Sequence, residues 1–132
     1  MPKIYDCITF YKENLLANVR FEILNDFVDY FIVCESNFDH SGNKKKLHFK
    51  LMNDKFKNKI RYIVLENEFP LPINRWKNEE IQREKIFENL INVNDEDYIM
   101  YSDSDEIPNP NIVRNINLKK KIRNISTKIL CL

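Results

Sequence analysis

The chain has 132 residues, the length of one domain, with 43% hydrophobic and 31% charged residues and a formal net charge of +1. That composition suits a globular protein with a true core and excludes a broad basic face for nucleic acid. A single glycine, Gly42, excludes phosphate loops of the dinucleotide or P-loop kind, so a bound nucleotide must be held by a metal and side chains.

The pattern along the chain alternates strands with helices. Ile4 to Phe10 is apolar and β-rich, and predicts a strand. Leu15, Leu16, Val19, Ile23 and Leu24 recur at three- and four-residue spacing and predict a helix with that face in the core. Tyr30 to Cys34 is a continuous apolar run, as expected of a strand buried on both faces. A polar loop from Asn37 to Lys46 holds Gly42, and a short helical piece is expected over Phe49 to Phe56. Ile60 to Leu65 predicts a third strand, Asn78 to Leu90 a second helix, and Tyr98 to Ser102 a fourth strand. Pro110 opens a last helix reaching Ile116. This order predicts an α/β fold: a mostly parallel sheet with right-handed crossovers, flanked by helices.

Charge divides the chain unevenly. Residues 1–110 carry 15 basic and 20 acidic groups, whereas the rest carries six basic groups and no acid. We read residues 1–117 as the folded domain and 118–132 as a solvated basic tail. The three cysteines match no metal spacing, and Cys7 and Cys34 lie in apolar runs as small buried residues. With no signal peptide and no transmembrane segment legible, the reading is cytoplasmic, in a reducing compartment.

The chemistry concentrates in YIMYSDSDE, residues 98–106. An apolar strand runs straight into Asp103, Ser104, Asp105 and Glu106. In a parallel sheet, ligands bind beyond the carboxyl ends of the strands. Asp103 and Asp105, two apart on a pleat, point the same way and repel unless a cation lies between them. Their oxygens suit Mg²⁺ or Mn²⁺, which also take water and substrate phosphates. The bland alternative is an acidic turn. Asp95, Glu96 and Asp97 lie at the wrong end of the same strand. His40 and His48 lack ligand spacing, and Trp76 reads as a packing anchor.

YSDSDEIPNP resembles the metal-binding signature of glycosyltransferase family 17. IYDCITFYKENLLANVRFEIL, VDYFIVCESNFDHSGNKKKLHFK and RWKNEEIQRE are similar to further stretches of that family, in the right order, over nearly all of residues 4–117. Where the family often has prolines around the lysine of the loop, this chain has Lys44 and Lys46. The resemblance implies a nucleotide-sugar-binding fold of the glycosyltransferase A type (Rossmann-like). It implies Mn²⁺ or Mg²⁺ as cofactor and inverting transfer of a sugar, N-acetylglucosamine in the first reading, from a UDP-linked donor to a glycan or polysaccharide acceptor. Asp103 and Asp105 would hold the metal, with Asp103 also serving the donor and Glu106 supporting them from behind. Phe10, at the end of the first strand with Thr9 and Tyr11, would face the nucleotide base. Glu35 would accept from ribose or base, and Arg83, beside Gln82, would contact the diphosphate.

Inverting transfer also needs a general base for the acceptor hydroxyl. No carboxylate follows Glu106, and 27 residues follow Asp105. The sequence therefore reads as the donor-binding half of a family member, with transfer by this chain alone expected to be weak or absent. The rival readings are an inactive nucleotide-sugar-binding remnant and an Asp-x-Asp phosphohydrolase.

Overall fold

The computed structural model describes residues 2–114 and, as backbone, 128–131. Five parallel strands form one sheet: β1 (Ile4–Phe10), β2 (Tyr30–Ser36), β3 (Ile60–Leu65), β4 (Tyr98–Asp103) and β5 (Lys128–Cys131), in the spatial order β3-β2-β1-β4-β5. The first four fall where the apolar runs predict them. β5 lies in the stretch read as basic tail, where no strand was expected, and residues 115–127 lie outside the described residues.

The chain starts in the middle of the sheet. It winds to one edge through β2 and β3, then crosses back to place β4 on the other side of β1. The connections leaving β1 and β4 therefore part in opposite directions. A crevice opens at such a switch point, beyond the carboxyl ends of the two strands. Register brings Thr9 of β1 opposite Asp103 of β4 there.

Helices α1 (Asn14–Leu24) and α2 (Arg75–Glu88) cover opposite faces. Alternation along β1 sends Ile8 and Phe10 to a core with Ala17, Phe21 and Leu24 of α1, and sends Tyr5 and Cys7 to a second core with Cys34 and Ile86 of α2. Cys7 and Cys34 are buried free thiols, as expected. Burial raises both pKa values, Cys34 to about 12, which makes them poor nucleophiles.

α1 turns a different face inward from the one its apolar spacing marks, Leu24 apart, whereas the apolar Ile86 of α2 and Leu90 just beyond it do meet the core. Leu15, Leu16, Val19 and Ile23 are exposed, and the sheet-facing residues of α1 are Ala17, Asn18, Arg20, Phe21 and Leu24. On α2, Asn78, Gln82 and Ile86 are buried. Asn18, Arg20 and Gln82 tolerate burial because they are bonded. Asn78 donates to the His40 carbonyl at 2.9 Å, while its side-chain oxygen is buried without a partner. α2 also starts three residues before its expected position, since the Asn74 side chain caps the amides of Trp76 and Lys77.

The expected helix over Phe49 to Phe56 is confined to one 3-10 turn, Asp54–Phe56. The preceding segment has no regular secondary structure and is held in place by side chains that accept from its amides. Glu35 accepts from the amides of His48 and Phe49, Asn14 from Lys50, and Asn18 from Met52. Among the described residues a further helix, α3 (Pro110–Arg114), begins at the expected proline, and its expected continuation to Ile116 lies outside them.

Candidate functional site

A cleft of about 740 Å³ lies at the carboxyl ends of β1, β2 and β4. Thr9, Phe10 and Tyr11 line one side, Phe38 to Ser41 another, and the start of α2 a third, with Asp103, Ser104 and Asp105 closing it. Gly42 shapes the loop wall. Its φ of +86° is left-handed, which strains any residue with a Cβ, and a Cβ there would have to displace the tip of the Ile73 side chain, met at 2.5 Å.

Asp103 ends β4, and residues 103–106 form a turn closed by the Glu106 amide on the Asp103 carbonyl at 3.0 Å. The carboxylates of Asp103, Asp105 and Glu106 are exposed, each with an oxygen within 4.8 Å of the others. Glu106 thus stands level with the two aspartates rather than behind them. Three negative groups so close repel, and all their donor atoms are hard oxygens, a set that fits Mg²⁺ or Mn²⁺.

Beneath this turn lies an ion pair that sequence reasoning missed. Arg20 and Asp6 are 0% and 1% exposed. Arg20 donates through Nε and Nη2 to the two oxygens of Asp6, both at 2.7 Å. Its Nη1 donates to the carbonyls of Asp103 and Glu106, both at 3.0 Å, and Nη2 also donates to Ser102 Oγ at 2.6 Å. All five guanidinium donors are used. The signal was Asp6 itself, an acid inside an apolar strand, which burial makes costly without a partner. To one side, Glu13 accepts from the Tyr11 amide and from Ser104 Oγ, tying the exit of β1 to the acidic turn.

Glu35 does not face a ligand. It is fully buried, and its oxygens accept from Lys45 Nζ (2.7 Å), Tyr62 Oη (2.6 Å) and the amides of His48 (2.7 Å) and Phe49 (3.0 Å). Burial alone would raise its pKa, but the bonds from Lys45, Tyr62, His48 and Phe49 outweigh it and hold the carboxyl below its ordinary value. Every acceptor position is taken, which leaves none for a ribose.

Phe10 touches the cleft but its ring belongs to the core, 2% exposed and edge-on to Phe49. Tyr11, half exposed, is the aromatic that β1 offers to a ligand. Arg83 lies over the Tyr101 ring and does not line the cleft; Arg75 does, with Nε donating to Ser41 Oγ at 2.9 Å. Trp76 is no packing anchor, being 82% exposed on the cleft rim. Gln82 donates to the carbonyls of Cys34 and Phe10, which turns its oxygen toward His40 Nε2 at 2.7 Å. That fixes His40 as the Nε2–H donor.

The family model described as "Glycosyltransferase family 17" matches residues 1–130. Among curated proteins, the chain is 34% identical over 118 residues to the β-1,4-mannosyl-glycoprotein 4-β-N-acetylglucosaminyltransferases of Rattus norvegicus and Homo sapiens, and 33% identical to that of Mus musculus. Each comparison covers 80% of this chain and 22% of the relative, so the chain spans about a fifth of the length of these proteins. No solved structure matches it.

Proposed function

The chain belongs to glycosyltransferase family 17, and on that premise we propose that it forms the donor site of a metal-dependent, inverting glycosyltransferase. Its substrates are a UDP-linked sugar, N-acetylglucosamine in the first instance, and a glycan or polysaccharide acceptor. The observation that carries this reading is the cluster of Asp103, Asp105 and Glu106, whose two aspartates line a cleft at the sheet's switch point. The parallel sheet with helices on both faces supports a fold of the glycosyltransferase A type. Free, buried cysteines support a cytoplasmic setting.

Asp103, Asp105 and Glu106 would hold Mn²⁺ or Mg²⁺, which supplies Lewis acidity to a departing diphosphate. The chain's own residues do the rest of the binding. Arg75 brings a cation to the cleft, and Tyr11 an exposed ring for the base. Glu13 and Ser104 keep the end of β1 and the acidic turn in fixed relation.

Differential scanning fluorimetry with UDP and Mn²⁺ tests this. Ligand at 100 times Kd stabilises by about 2.7 kcal/mol, a rise in Tm of roughly 10 °C for a domain of this size. EDTA should abolish the rise. A rise that survives EDTA, or none at all, refutes metal-assisted donor binding.

Trp76 gives a separate test. Its indole is exposed and rests on a rigid helix start, so Trp76→Ala should change stability by less than about 0.5 kcal/mol. Loss of the aromatic platform should weaken nucleotide-sugar binding about fivefold. Calorimetry with UDP and UDP-N-acetylglucosamine separates the contacts: a sugar contact weakens only the second ligand. Unchanged affinity for both removes Trp76 from the site.

A further inference from the structure

We infer that Arg20 is the positioning residue of the acidic turn, fixing the spacing of Asp103, Asp105 and Glu106 and thereby their affinity for a divalent cation. The inference rests on the donor-site reading above. It adds a residue outside the cleft, on the far side of the turn from any ligand.

Three carboxylates within 4.8 Å of one another push apart. One amide-to-carbonyl bond inside a four-residue turn is weak resistance to that repulsion. Arg20 supplies the rest. Its Nη1 holds the carbonyls of both the first and the last residue of the turn, at 3.0 Å each. The turn is thus clipped at its two ends from a single nitrogen.

The clip is itself rigid. A planar guanidinium has no freedom once both of its edges are bonded. Asp6 fixes the Nε edge from β1, the strand beside β4, in the interior of the sheet where Asp6 pairs with Met100. Ser102 Oγ accepts from Nη2 at 2.6 Å and donates to the Glu106 carbonyl at 3.1 Å, closing a ring of bonds around the end of β4. Because Asp6 balances the charge of Arg20, what the pair transmits to the turn is geometry rather than net positive potential. A lysine at position 20 would keep the charge but has no planar fork to reach Asp6, Ser102 and both carbonyls together. A metal site requires such pre-arrangement, since ligand partners beyond the ligands themselves are commonly worth 10–100-fold in affinity.

The test titrates Mn²⁺ into the full chain by calorimetry and by electron paramagnetic resonance, without nucleotide and without any activity assay. Arg20→Lys should weaken Mn²⁺ binding by about tenfold or more. Ser102→Ala, which keeps the ion pair and removes one hydroxyl, should fold even if Arg20→Lys does not, and should weaken binding severalfold. Phe56→Leu, in the core beside α1 and unconnected to the turn, serves as a destabilised control that should bind like the wild type. Hydrogen exchange adds a readout that stability alone does not move: in the Ser102 and Arg20 variants the Glu106 amide should exchange faster relative to the amides of β2. Wild-type affinity in both variants, or an equal loss in the Phe56 control, overturns the positioning role alone. A wild-type chain that binds no Mn²⁺ overturns the metal reading and this inference with it.

Discussion

Asp103→Asn and Asp105→Asn should each reduce Mn²⁺-dependent UDP binding by about 100-fold or more and leave the fold intact. Both side chains are exposed and relieve no packing, so their replacement opens no cavity. Each substitution removes one formal charge from a cluster of three, and affinity for a hard divalent cation follows the ligand charge. The same change eases repulsion in the metal-free protein, so Tm without metal should stay level or rise slightly. The two effects have opposite signs, which separates them from general damage: a destabilised variant would lose both. Calorimetric titration of UDP at saturating Mn²⁺, paired with melts in EDTA, reads the two quantities. Wild-type UDP affinity in either variant would move the cation site away from β4.

The site was legible where chemistry and exposure coincide and illegible where polar residues are buried. An apolar strand ending in Asp-x-Asp announces its acids, because a β-strand delivers consecutive residues to one edge of the sheet. The inward face of α1 could not be read by counting apolar residues. Arg20 and Asn18 look like surface residues until their partners are known, and those partners sit at Asp6 and at Lys50 and Met52, remote in sequence. With those two on the sheet side, Leu15, Val19 and Ile23 turn outward. Glu35 misled for the same reason. A carboxylate at a strand end reads as a ligand contact, and only the fold reveals that Lys45, Tyr62 and two amides already occupy it. Trp76 was misjudged in the opposite direction, as its size argues for burial and its place on the first turn of α2 leaves it in solvent. Arg75 lies one residue away, and both follow from a cap at Asn74 that moves the helix start earlier.

Glu35→Ala should cost about 3–5 kcal/mol, a large share of the 5–15 kcal/mol typical of a domain. The substitution strands four donors at once. The Lys45 ammonium, 7% exposed, would be left charged without its counter-ion, and the His48 and Phe49 amides would lose the acceptor that holds their segment in place. Tyr62→Phe removes one of the four bonds and should cost only about 1–2 kcal/mol. Glu35→Gln keeps the volume but turns an amide nitrogen toward donors, so at pH 7 it should fall between the two. Acid distinguishes a charged anchor from a merely well-packed one. Because the folded pKa of Glu35 lies below its unfolded value, its charge contributes stability above the ordinary carboxyl range, and that contribution is lost as pH falls through the lowered folded pKa. The gap between wild type and Glu35→Gln should therefore be full at pH 7 and close toward pH 3. Urea melts at the two pH values measure it, and a gap that does not change with pH would show that Glu35 contributes shape and not charge. The consequence reaches the cleft, since Lys45, which Glu35 anchors, lines it together with Ser36 and Phe38. Glu35→Ala should thus weaken UDP binding through the displaced wall, whereas Mn²⁺ binding at the far side, on Asp103 and Asp105, should survive in the fraction that remains folded.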